Sequence, residues 1–258
     1  MTSGKTITIP TTRVSVKPTI KEFKDNPEVA DCFAAELVEM IAELGKSQSK
    51  ITVSLSGGST PKLLFSVLAE NYADKIEWSK VHFFWGDERM VAPDDEQSNF
   101  GEANALLLSK VNIPESNVHR VLGESEPVAE CARYETEIEK HVEKDEQGVP
   151  AFDILMLGMG SDGHTASIFP HEMEFLTSQR ICELATRPES GQKRVSVTGK
   201  VLNAAKNLVF LVTGAGKADV LAEIINQTGA FESYPTSFVK PASGVTFYID
   251  KAAGAKLG

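Results

Sequence analysis

Short apolar runs recur along the chain, and each ends in a group of small and polar residues. Ile51 to Leu55 leads into Ser56-Gly57-Gly58-Ser59-Thr60-Pro61, and Val81 to Trp85 leads into Gly86-Asp87-Glu88-Arg89. Phe152 to Leu157 leads into Gly158 to His164, and Leu208 to Val212 leads into Thr213 to Lys217. Runs this short and this apolar predict strands covered on both faces. Between them apolar residues return at helical spacing. Asp25 or Asn26 can cap a helix with Pro27 at its first position; Phe33, Leu37, Ile41 and Leu44 then share one face, and Gly45 follows the end. Ser59 or Thr60 can cap a second helix that opens at Pro61, with Leu64, Val67 and Leu68 facing inward. Pro127 to Val142 and Ala218 to Ile225 predict two more.

Strands alternating with helices imply βαβ units and a mostly parallel central sheet, an α/β fold. No Pro/Gly/Ser-rich linker, repeat or low-complexity block divides the chain, so residues 1–258 are expected to form one domain. Arg187 to Gln192 is the most loop-like stretch of the second half and predicts a surface loop.

Composition narrows the partners. The net charge of −10, without any run of Lys or Arg, disfavours nucleic acid. Cys32, Cys131 and Cys182 are odd in number, far apart and form no CxxC, which fits reduced core thiols in a cytoplasmic protein. Met1 to Pro10 alternates Thr and Ile rather than showing a basic start and an apolar stretch, so no signal peptide is expected. No apolar run approaches the ~20 residues of a membrane span.

In open α/β sheets ligands bind beyond the carboxyl ends of the strands, where all four polar turns lie. Ser56 to Pro61 places two glycines before a helix start, which suits a phosphate but equally describes a tight turn with a good cap. Gly158-Met159-Gly160-Ser161-Asp162-Gly163 matches GxGxxG. A dinucleotide fingerprint must open a full crossover helix, though, and Thr165 to Phe169 gives barely a turn and a half before Pro170. The glycines instead expose Asp162 and His164. Imidazole, with an unperturbed pKa of ~6.5, suits His164 to taking up and returning protons near neutrality. A single histidine in a Gly-rich loop is more often structural, and the neighbouring Asp162 argues for more. Asp87, Glu88 and Arg89 could be a solvated charge run, and Arg194 alone reads as an exposed strand-end charge before Val195-Ser196-Val197. Lys217 sits at a helix start, where the dipole disfavours a cation, and so hints at a bound anion. His82, His119, His141, His164 and His171 show no recognised ligand spacing, so no metal is expected.

Taken together, Ser56-Gly57-Gly58-Ser59-Thr60-Pro61, Trp85 to Arg89, Ser98-Asn99 and Gly158 to Pro170 resemble the 6-phosphogluconolactonase family. Arg194 with Val195 to Thr198, Gly216-Lys217-Ala218 and Gly244 to Ala252 extend the likeness in the same order. The resemblance implies a modified Rossmann-like three-layer fold shared with glucosamine-6-phosphate deaminases, and hydrolysis of 6-phosphogluconolactone in the pentose phosphate pathway without a cofactor. It implies that Ser56, Gly57, Gly58, Ser59, Thr60, Arg194 and Lys217 hold the sugar phosphate. By the same likeness His164 is the general base, with Asp87, Arg89 and Asp162 at the reacting end. Either carboxylate could orient His164, and Arg89 or a loop amide could stabilise the oxyanion. A deaminase or isomerase, or a non-catalytic sugar-phosphate sensor, are the alternatives; Thr165 to Pro170 and Arg89 depart from the deaminase pattern, and the stretch before Pro27 is too short for a helix-turn-helix. The expected partner is a small sugar phosphate lactone, the expected assembly a monomer or weak homo-oligomer.

Overall fold

The computed structural model describes residues 17–258, so the reading of Met1 to Pro10 lies outside the described residues. The strands are β1 (Thr19–Phe23), β2 (Ile51–Leu55), β3 (Val81–Trp85), β4 (Asp87–Arg89), β5 (Ile154–Leu157), β6 (Cys182–Thr186), β7 (Lys193–Val197), β8 (Leu208–Val212) and β9 (Val245–Asp250). The α-helices are α1 (Asn26–Leu44), α2 (Ser59–Asn71), α3 (Asn99–Leu106), α4 (Pro127–His141), α5 (Gly199–Leu202), α6 (Ala218–Asn226) and α7 (Lys251–Gly254).

Six strands form one parallel sheet in the order β1-β9-β8-β5-β2-β3, and β4-β7-β6 form a small antiparallel sheet beside it. Side chains alternate across the parallel sheet. Ile154, Met156, Val209 and Leu211 pack with α1 and α2 on one face. Leu155, Leu157, Phe210 and Val212 pack with α4, α6 and the small sheet on the other. The expected α/β Rossmann-like architecture is the one observed.

Helix starts follow local chemistry. Asp25 caps α1 by accepting from the Glu28 N–H, with Pro27 in the first turn, as its sequence predicts. The start of α2 differs from the expectation. Neither Ser59 nor Thr60 caps it; both lie inside the helix, and Gly58 holds the cap position at φ 120°, ψ 177°, a conformation that a side chain would strain. The Thr60 hydroxyl instead meets that of Thr213 at 3.0 Å.

Three further readings need correction. The strand expected from Phe152 begins at Ile154, because the Asp153 carboxylate accepts from the Thr52 backbone N–H (2.8 Å) and hydroxyl (2.9 Å), taking the place of a ladder bond. Thr165 to Phe169 forms no helical turn. Ala166 sits at φ 48°, in the left-handed region, and Thr165 and Ile168 close a reverse turn around it. Cys131 and Cys182 are core residues as expected, whereas Cys32 is only half-buried. Among the described residues no helix is long and apolar enough to cross a membrane.

One side chain ties the helical layer to the edge of the sheet. The fully buried Tyr134 hydroxyl of α4 donates to the Trp85 carbonyl and accepts from the Trp85 N–H, both at 2.8 Å. Trp85 ends β3 and fixes where the chain turns towards Asp87. Removing the hydroxyl leaves two buried backbone groups without it, so Tyr134→Phe should destabilise the fold by ~1–3 kcal/mol. Urea unfolding at unchanged m-value measures this, and an unchanged midpoint would show that the contact carries no net stability.

Candidate active site

The sheet order places the polar turns side by side. β2 lies between β3 and β5, so the chain reverses its direction of winding between β2 and β5, the position where open α/β sheets bind ligands. The turns after β8, β5, β2 and β3 therefore form a continuous row: Thr213 to Lys217, Gly158 to His164, Ser56 to Thr60, and Gly86 to Arg89.

His164 and Asp162 form the centre of this row. The Nδ1 of His164 lies 2.6 Å from Asp162 Oδ1, and the His164 backbone N–H donates to the same oxygen at 3.2 Å. Both side chains fold over Gly160, where an added Cβ would collide with each of them. Here glycine is a requirement of close approach rather than of backbone freedom. A carboxylate only accepts, so Nδ1 carries the proton and Nε2 keeps its lone pair. Burial pushes the Asp162 carboxyl up, but the hydrogen bond and charge of His164 outweigh it and bring the pKa down to about 2. Of the two carboxylates considered from sequence, Asp162 is the one bonded to His164.

Asp87 has other partners. Its Oδ2 accepts from the Ser167 hydroxyl at 2.6 Å and lies 3.9 Å from Arg194 Nη1. Arg194 is 4% exposed, contrary to the strand-end reading, because it lies within β7 and the small sheet covers it. Its guanidinium also donates to Gln192 Oε1 (3.2 and 3.1 Å) and stands 5.7 Å from the Phe169 ring centre. Burial lowers its pKa, with Asp87 opposing and Arg89 and Arg187 adding to the fall. Phe169 in turn lies 4.9 Å from the His164 ring, so one aromatic side chain touches both the histidine and the cation.

Arg89 and Arg194 are direct cross-strand partners in the β4·β7 pair. Like charges in that position repel unless something negative lies near. Arg89 Nη1 donates to the Gln97 carbonyl at 2.6 Å, while its buried Nε has no acceptor among the described residues. Glu88 has a different task. Its buried carboxylate accepts from the backbone N–H groups of Arg89, Asn99 and Phe100 at 2.7–2.8 Å, which anchors the start of α3. Burial raises its pKa against those bonds. Asn99 then donates to the Asp87 carbonyl (2.9 Å) and packs against Gly57, joining two of the turns.

The turn Ser56 to Thr60 leads into α2 with no side-chain cap, so first-turn N–H groups remain for a ligand. Lys217 is where the sequence placed it, immediately before α6. Burial lowers its pKa, and Asp162 is the charge that opposes this. Lys217 is near enough for the charge of Asp162 to act on it, and Arg194 stands against Phe169. Ser167, which joins Asp87 to Arg194, had no sequence signal; it follows Ala166, whose left-handed conformation aims it inward.

Since its folded-state pKa is depressed, the Asp162 contact adds stability above the unfolded carboxylate value and loses it as pH falls through about 2. In His164→Ala the imidazole's hydrogen bond and charge are lost while burial and the backbone N–H bonds of residues 162 and 164 remain, so the Asp162 carboxyl should titrate above its parent value of about 2. Carboxyl-carbon NMR titration reads this directly. An unmoved Asp162 would mean that the pair does not set its charge.

Residues 24–248 match the family described as glucosamine-6-phosphate isomerases/6-phosphogluconolactonase. A 6-phosphogluconolactonase of Haemophilus influenzae is 48% identical over 205 residues, covering 79% of this chain and 86% of the relative. One of Aggregatibacter actinomycetemcomitans is 45% identical over 230 residues, covering 87% and 96%. The solved structure of 6-phosphogluconolactonase from Trypanosoma brucei superposes with a TM-score of 0.84 at 28% identity, over 95% of this chain and 100% of that one.

Proposed function

We propose that this chain, which belongs to the glucosamine-6-phosphate isomerase/6-phosphogluconolactonase family, hydrolyses 6-phosphogluconolactone to 6-phosphogluconate in the oxidative pentose phosphate pathway. The observation that carries the chemistry is the Asp162–His164 pair, whose Nε2 is left as a base at the topological switch point. His164 removes a proton from water, the water oxygen bonds to the lactone carbonyl carbon, and the ring oxygen leaves with the proton that His164 returns. Asp162 orients the imidazole and stabilises its protonated form. The unpartnered Arg89 Nε–H is the donor for the oxyanion, a contribution worth on the order of 10²–10³ in rate. Water attack on a lactone requires no coenzyme at the reacting centre.

The phosphate is assigned to the Ser56-Gly57-Gly58-Ser59-Thr60 turn with Lys217 and Arg194. Asp87 holds Arg194 in place through Ser167 and its own charge. We read residues 1–258 as one domain acting in the cytoplasm on a small sugar phosphate, as a monomer or weak homo-oligomer and without nucleic acid. Acid release from freshly made 6-phosphogluconolactone, compared with its spontaneous hydrolysis, tests the activity; a rate equal to the uncatalysed one would overturn it.

His164→Ala should lower kcat by at least ~10² with KM little changed, because a general base acts on the transition state more than on binding. Near-normal turnover in steady-state assays would remove His164 from the mechanism.

The two cations should separate by stability. Lys217→Ala and Arg194→Ala should each lower kcat/KM by on the order of 10- to 100-fold, mainly through KM, and much less with the unphosphorylated lactone. Lys217→Ala should leave Tm unchanged or raise it, since it relieves a helix-start cation. Arg194→Ala should lower Tm, because Asp87 is then buried without its cation. An equal kinetic penalty on both substrates would make the cations structural.

A further inference from the structure

Three of the five histidines, distant in sequence, meet at the edge of the sheet away from the active-site row. His82 is the second residue of β3. His119 lies in the extended segment beside that strand, where its backbone N–H donates to the Phe83 carbonyl at 2.8 Å. His141 is the last residue of α4. One ring nitrogen from each lies within 4.8 Å of the others. His82 Nδ1 and His119 Nε2 are 2.9 Å apart, and the ring centres of His119 and His141 are 4.3 Å apart.

Glu137, one helical turn before His141, completes the group. Its Oε1 lies 2.7 Å from His119 Nδ1 and 3.5 Å from His141 Nε2. Because a carboxylate only accepts, His119 carries its proton on Nδ1 and directs the Nε2 lone pair towards His82. A carboxylate behind a ligating imidazole is the usual support of a metal-bound histidine. Burial lowers the pKa of all three imidazoles, that of His82 to about 4. The surrounding charges divide in sign. Lys50, whose Nζ donates to the His141 carbonyl at 2.6 Å, and Lys140 and Arg133 oppose a cation, while Glu137 favours one.

We propose that His82, His119 and His141 form a zinc(II) site in which Glu137 supports His119 and a water takes the fourth position. Tetrahedral zinc with nitrogen ligands at ~2.0–2.1 Å separates those nitrogens by about 3.3 Å, so the 2.9 Å contact has to open by only a few tenths of an ångström. The ion replaces the hydrogen bond that one imidazole otherwise donates to another. It joins the edge strand, the segment after Val118 and the end of α4, and it lies towards the amino end of β3 whereas Asp87 follows the carboxyl end. Its role is to hold α4 in place, not to act on the lactone.

The test uses untagged protein stripped with chelator and titrated with Zn²⁺ against a chromophoric competitor. One equivalent should bind per chain and raise Tm, since a ligand specific to the folded state stabilises it by mass action. His141→Ala and His82→Asn should each abolish both effects while retaining lactone hydrolysis, and Glu137→Gln should weaken binding by about 10- to 100-fold. Co²⁺ in place of Zn²⁺ should give the visible absorption of a tetrahedral site in the parent protein alone. The proposal is overturned by an absence of saturable binding, or by binding that survives both histidine substitutions, which would place the ion on surface carboxylates. It is equally overturned if the folded variants keep the cobalt spectrum.

Discussion

Asp162 and His164, two residues apart, share a short side-chain hydrogen bond because the chain after β5 folds back on itself between Gly160 and His164. Gly160 leaves the space that Asp162 and His164 occupy, and its backbone N–H bonds the His164 carbonyl at 2.8 Å, closing the turn beneath them. Once closed, the turn cannot open a crossover helix. The chain continues instead through Ala166 in the left-handed region to Ser167, which reaches Asp87. The histidine, its aspartate and the contact holding the opposite strand end thus follow from one backbone path. A left-handed alanine costs about 1–2 kcal/mol, and the buried bonds of Ser167 to Asp87 and Ser196 offset it.

The cations around this turn are held in an unfavourable state. Arg194 and Lys217 both lose hydration, and Arg89 faces Arg194 across two strands. Desolvation weakens a group's hold on its charge and strengthens its interaction with any anion that enters. In the proposed site a sugar phosphate would bring that anion to cations already partly stripped of water. Tyr134 and Glu88 serve the same end from outside by fixing the chain on either side of Asp87.

Much of this was legible from the sequence because parallel strands are covered on both faces. Ile51 to Leu55, Val81 to Trp85 and Leu208 to Val212 stand out as apolar runs, and their ends mark the edge where the polar turns gather. Pro27 and Pro127 mark helix starts by their fixed φ and missing N–H, whereas Pro61 falls third in α2. What stayed hidden depends on pairing between distant segments. Arg194 is buried because β7 pairs with β4 and β6, and no local pattern announces a three-stranded sheet in which one member has three residues. Ser167 was unremarkable without the φ of Ala166. His82 and His119, 37 residues apart, touch only because the segment after Val118 runs beside β3. Local metal motifs could not show this.

Three carboxylates lie at the strand ends, and their surroundings decide which reaction the site favours. Moving protons between adjacent carbons of a sugar, as an isomerase does, requires a carboxylate with an available lone pair and an accessible pKa. Glu88 is buried with its oxygens occupied by three backbone donors that anchor α3, although burial raises its pKa. Asp87 is bonded to Ser167 beside a permanent cation. Asp162 is held ionised down to about pH 2 by the imidazole it orients. All three carboxylates are engaged by hydrogen bonds within the protein, whereas the Nε2 of His164 has no such partner among the described residues. A single base paired with a fixed anion suits one proton taken from water and the same proton given to a leaving oxygen. On the proposed mechanism, the environment of the acids matters as much as the presence of the histidine.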